Sequence, residues 1–240
     1  MNRFKILALG TLCLVTSSLT FVSCIKENAT TLQASGDIIV QDMKTDAGVK
    51  YGLVVYVTTN FPILSGKVTA PGTNGKIYPL TPTENRYQCV FYPQASDYST
   101  DMPVAGTYSM SVTSTSGETL MGEDIVGSEK LNPIVIKSVE LTSGIAKISW
   151  DQVTGADAYV VRLYSADKST ILFTTSYLNP DLTEYSLSAA SSGWGSGFNP
   201  VAGTNYVLEI LGVKVETNVT TDMGSNLQFI TIDSKEIQWP

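Results

Sequence analysis

From Asp37 onward, apolar and polar positions alternate with a period of two, or gather in short β-branched runs, between clusters of Gly, Pro, Asn, Asp and Ser. A period of two puts successive side chains on opposite faces of an extended chain, so it predicts strands with one buried and one wet face. Tyr108, Met110 and Val112 against Ser109, Ser111 and Thr113 is the clearest case. Tyr87, Cys89 and Phe91 alternate with Gln88 and Val90, and further strands are expected at 37–42, 65–70, 75–80 and 118–126. Leu53 to Val57 is apolar throughout, which suits a central strand buried on both faces or a barrel-like core. No window of ten or more residues carries apolar positions at i, i+3, i+4 and i+7, so the folded part reads as all-β.

A short repeat sets the domain count. Pro103-Val104-Ala105-Gly106-Thr107-Tyr108 recurs as Pro200-Val201-Ala202-Gly203-Thr204-Asn205-Tyr206, the prolines 97 positions apart and each copy opening an alternating strand. That spacing is the size of one immunoglobulin-type sandwich. The motif suits a tyrosine corner, in which a Gly-containing turn brings the Tyr hydroxyl back to the backbone just upstream. Two tandem β-sandwiches are expected, at 37–130 and 131–240, with the boundary at the polar break Gly127-Ser128-Glu129-Lys130.

In the second half, Ala146, Ile148 and Trp150 share one strand face and Tyr159, Val161 and Leu163 share the next, as two walls of a core. The run Ile148-Ser149-Trp150-Asp151-Gln152-Val153-Thr154-Gly155-Ala156-Asp157-Ala158-Tyr159-Val160-Val161 resembles a bacterial fibronectin type III domain. The resemblance covers about 131–240 and implies that Tyr206, Leu208 and Ile210 point inward. The segment 183–204 is longer than the family's usual connection there. The first half looks immunoglobulin-like through its tyrosine corner and the strand after it.

At the N-terminus, Arg3 and Lys5 precede 17 mostly apolar, uncharged residues, Ile6 to Val22, the pattern of a secretory signal over 1–23. Phe21-Val22-Ser23-Cys24 resembles the lipobox of bacterial lipoproteins, with Phe21 where that box usually carries Leu. The resemblance implies acylation of Cys24, hence a lipid anchor on the outer membrane or cell surface. An ordinary signal peptide cleaved nearby would leave Cys24 a free thiol. Lys26-Glu27 is a faint counterpart of the charged export signals of Bacteroidetes surface lipoproteins. Residues 24–36 then read as the lipidated Cys and a polar tether.

Composition removes several chemistries. The 240 residues include no His, so neither a Ser-His-Asp or Cys-His relay nor a His-ligated metal can form, and only 3 Cys are present. The net charge of −7 argues against nucleic acid as a partner. Cys89, the one cysteine of the folded part, reads as a buried structural thiol without a base. Glycoside hydrolysis needs only two carboxylates, but Glu118, Glu123, Asp124, Asp151, Asp157, Asp181 and Glu184 are scattered and read as solubilising charge. Asp97, Asp101 and Asp157 lack the spacing of a calcium loop, so no metal site is assigned, and no cofactor motif is present.

One loop, 189–200, sets large aromatics among Gly and Ser. Trp194 and Phe198 either plug one end of the sandwich or, with Asn199, form an exposed platform for a sugar ring or partner. The reading is a non-enzymatic surface lipoprotein that captures a glycan, with Trp194, Phe198 and Asn199 as the site. The alternative is a structural or adhesive spacer that meets another protein.

Overall fold

The alternating runs become strands in the computed structural model, which describes residues 31–217 and 226–240. The readings for the signal segment and Cys24 lie outside the described residues. Fourteen strands follow in order: β1 (Ala34–Thr45), β2 (Gly48–Thr59), β3 (Ile63–Thr69), β4 (Ile77–Pro82), β5 (Gln88–Phe91), β6 (Gly106–Ser114), β7 (Thr119–Val126), β8 (Ile136–Thr142), β9 (Ile145–Trp150), β10 (Ala158–Ser165), β11 (Ile171–Thr174), β12 (Glu184–Ser188), β13 (Asn205–Val215) and β14 (Leu227–Gln238). Among the described residues the protein is all-β, built as two β-sandwiches in tandem.

In the first half, β1, β2 and β5 form one layer and β4, β3, β6 and β7 the other, with β4 also pairing to β5 across the open edge. Leu53, Val55 and Val57 face inward with Cys89, and Val68, Tyr108 and Val112 close the core from the other layer. In the second half, β8, β9 and β12 stand against β11, β10, β13 and β14. Trp150 is fully buried there and meets Tyr159 edge-on at 5.4 Å, among Val161 and Leu208. Three strands against four in each half is the expected sandwich arrangement.

Both corners form. The Tyr108 hydroxyl donates to the Val104 carbonyl at 3.0 Å, and the Tyr206 hydroxyl accepts from the Val201 N–H at 3.2 Å. Gly106 and Gly203 turn the chain at φ +140° and +78°, a region that β-carbon-bearing residues rarely adopt.

The halves are fused at one seam. β14 runs parallel beside β1, pairing Val40 with Phe229 and Gln41 with Ile230, so one sheet of eleven strands passes through both. Two carboxylates of β1 reinforce this short ladder. Asp42 accepts from the Thr231 hydroxyl at 2.6 Å and the Ile232 N–H at 3.1 Å, and Asp37 accepts from the Leu227 N–H at 2.9 Å. A second apolar cluster covers the outer face of this seam, with Ile39 and Val54 from the first half and Val160, Leu211, Val213 and Ile230 from the second. Leu53 to Val57 is therefore buried on both faces, as its unbroken apolar run implies.

Candidate functional site

Pleating decides what lines the seam. On β10, Tyr159, Val161 and Leu163 fill the core, so Val160, Arg162 and Tyr164 must point to the outer face; on β13, Glu209, Leu211 and Val213 do the same. With Val54 and Tyr56 of β2 and Ile39 and Gln41 of β1, they line a groove of about 500 Å³ across the fused sheet. Tyr92 and Tyr177 also line it, and Tyr92 is 63% exposed.

The groove floor is apolar, formed by Ile39, Val54, Val160, Leu211, Val213 and Ile230, and a charged pair lies on its second-half side. Glu209 is buried at 8% exposure, lies 3.8 Å from the Arg162 guanidinium, and accepts a hydrogen bond from the Tyr164 hydroxyl at 3.2 Å. Burial holds the Glu209 carboxyl above its ordinary range, with Arg162 opposing the shift. Arg162 Nε is buried and lacks an acceptor. The Arg162 guanidinium beside the Tyr164 ring and the Glu209 carboxyl gives the groove polar groups that suit a ligand with hydroxyl groups.

The loop expected to carry the site has a different geometry. Trp194 is half-buried, its ring packed against Phe173 at 4.9 Å, Phe198 at 5.5 Å and Trp239 at 5.9 Å, and its indole N–H donates to the Ser188 carbonyl at 3.0 Å. Gly193 sits at φ +119° with the Thr174 carbonyl 2.2 Å from where a β-carbon would be, so the loop is pressed onto β11. This is the plug arrangement. Asn199 is exposed beside it.

The remaining candidates have structural uses. Cys89 is fully buried, and desolvation pushes its thiol up to about 11. Asp97 accepts from the Gln94 N–H at 2.9 Å, and Asp157 accepts from the Val215 N–H at 2.8 Å and lies 3.5 Å from Lys214. Asp124, expected as solubilising charge, is instead half-buried, and its oxygens accept the Ile38 and Ile125 N–H groups at 2.7 Å each. The groove residues escaped the sequence reading, although Val207, Leu211 and Val213, apolar on the parity opposite to Tyr206 and Leu208, signalled a doubly buried strand.

No family model and no curated protein matches the sequence. Among solved structures, the chain is similar to a two-domain fibronectin type III segment of chicken tenascin, at 12% identity and TM-score 0.31, over 87% of this chain and 97% of that one. It is similar to the FN1-FN3 domains of chicken CNTN1, at 12% identity and TM-score 0.32, over 86% of this chain and 63% of that one. A tetra-tandem repeat from the extending region of a large adhesion protein matches at 13% identity and TM-score 0.27, over 87% of this chain and 50% of that one.

Proposed function

We propose that this protein is a non-enzymatic surface binding protein that captures a glycan in the seam groove, held at the membrane by acylated Cys24. The supporting observation is the groove itself. The aromatic residues Tyr92 and Tyr164 line it, and the Arg162–Glu209 pair supplies charged groups beside an apolar floor. Sugars present apolar ring faces edged by hydroxyls, which this combination matches. Stacking on rigid rings loses little conformational entropy on binding. The adhesive reading has its own support in β7, the last strand of the sheet order, where Met121 and Ile125 are exposed.

Retention of the protein by polysaccharide in a native gel tests the proposal. Tyr92→Ala should abolish retention at unchanged melting temperature, because the ring is mostly in solvent. Wild type that no polysaccharide retains would remove the glycan reading. Retention lost in Trp194→Ala but kept in Tyr92→Ala, with both variants folded, would move the site to the loop 189–200. For the anchor, Cys24→Ala should release the protein from membranes, and wild type without acyl mass would overturn that part. Among the described residues no helix is long and apolar enough to cross a membrane.

A further inference from the structure

Three carboxylates from distant parts of the chain meet where the two halves join. Asp37 of β1, Asp124 of β7 and Glu216, just after β13, each place a carboxylate oxygen within 4.8 Å of the others. Among the described residues no Lys or Arg forms an ion pair with any of them. Proximity alone would not make this a site, since acidic clusters are common. The second observation concerns Asp37, which is 1% exposed. Its Oδ2 accepts the Leu227 N–H at 2.9 Å and the Tyr56 O–H at 3.1 Å, whereas its Oδ1 is shut off from solvent and has no donor at all. Oδ1 is therefore the oxygen left for a shared ion.

We propose that Asp37, Asp124 and Glu216 bind one calcium ion that clamps β1 and β7 of the first half to the end of β13 in the second. The Ile38 and Ile125 N–H groups hold the Asp124 carboxylate in place, and each of its oxygens keeps a lone pair for the ion. Calcium's flexible oxygen coordination, at about 2.3–2.6 Å, suits three carboxylates whose oxygens lie within 4.8 Å of one another, while magnesium demands near-ideal octahedral geometry at about 2.1 Å. The Tyr56 hydroxyl on Asp37 couples the clamp to one wall of the groove, although the site stands independently of what the groove binds.

The purified full-length protein, stripped with a chelator, is titrated with calcium chloride by calorimetry near neutral pH, and its melting temperature is followed. One calcium per chain with a dissociation constant at or below about 1 mM is expected. A raised melting temperature and magnesium binding at least about tenfold weaker should accompany it. Glu216→Gln, half-exposed and so safe for folding, should weaken calcium binding by more than about tenfold with an unchanged circular dichroism spectrum. Asp124→Asn provides a second variant with the same expected loss. Absence of heat and of any melting shift up to about 10 mM calcium overturns the site. Calcium binding unchanged in a folded Glu216→Gln overturns it equally. A melting temperature that rises on acidification but is unmoved by calcium at every pH would show a cluster held by protons only and also overturns it.

Discussion

At single positions, burial and the fate of the partner left behind set the magnitude of a change. Trp150 fills the centre of the second core, and no neighbour can collapse into the space of an indole, so Trp150→Ala should cost about 3–5 kcal/mol in urea unfolding. The corner tyrosines are buried too, but their hydroxyls bond backbone groups of exposed residues, Val104 and Val201. Water can reach those groups once the hydroxyl is gone. Tyr108→Phe and Tyr206→Phe should therefore cost only about 1 kcal/mol each. Cys89 gives a kinetic check on the same packing. With its thiol pushed up to about 11 and no solvent contact, it should resist an aromatic disulfide reagent at about pH 8 until the protein unfolds. Labelling at full rate in the folded protein would mean that β5 opens.

Among the elements, β1 carries the greatest electrostatic burden, because Asp37 and Asp42 are both buried on it. Desolvation pushes Asp37 up to about 6 and raises Asp42 in the same direction. A carboxyl raised in the folded state keeps a proton that the unfolded chain has already released. Its contribution is present in full below the unfolded value near 3.8 and is lost as pH climbs through about 6. In chelator, the urea midpoint should fall between about pH 4 and pH 7, by on the order of 2–3 kcal/mol for Asp37. A midpoint that rises over this window would mean that the seam carboxylates ionise without penalty. The sequence made most of β1–β7, β9, β10 and β13 legible, because one-sided burial leaves a period of two. It did not disclose β8, β11 or β12, which are short or mostly exposed and have little apolar alternation. β14 was hidden for the opposite reason: Gln228, Phe229, Ile230 and Thr231 are all buried, core on one face and seam on the other, which erases the period. Trp194 was undecidable locally, since glycines on both sides permit either orientation and distant Phe173 and Trp239 choose between them.

For the molecule as a whole, the continuous sheet makes a prediction that two independent sandwiches would not. The second apolar cluster draws residues from β1, β2, β10, β13 and β14, and the Asp37 and Asp42 carboxylates accept hydrogen bonds across the seam. Unfolding one half alone would expose Ile39 and Val54 or Val160 and Leu211 to water and leave Asp37 and Asp42 without their β14 donors. Residues 32–240 should therefore melt in one transition, with calorimetric and van't Hoff enthalpies equal. Ile230→Ala, which removes buried contacts on the seam while sparing both cores, should lower that single transition by about 2–5 kcal/mol. Because the two halves share Ile230's contacts, the loss should move both halves together, with β1 and β10 losing hydrogen-exchange protection in parallel. Two separate heat-absorption peaks in the wild type would show that the seam is too weak to couple the sandwiches. The groove would then lie between bodies free to part, and a ligand bound there should merge the two peaks into one.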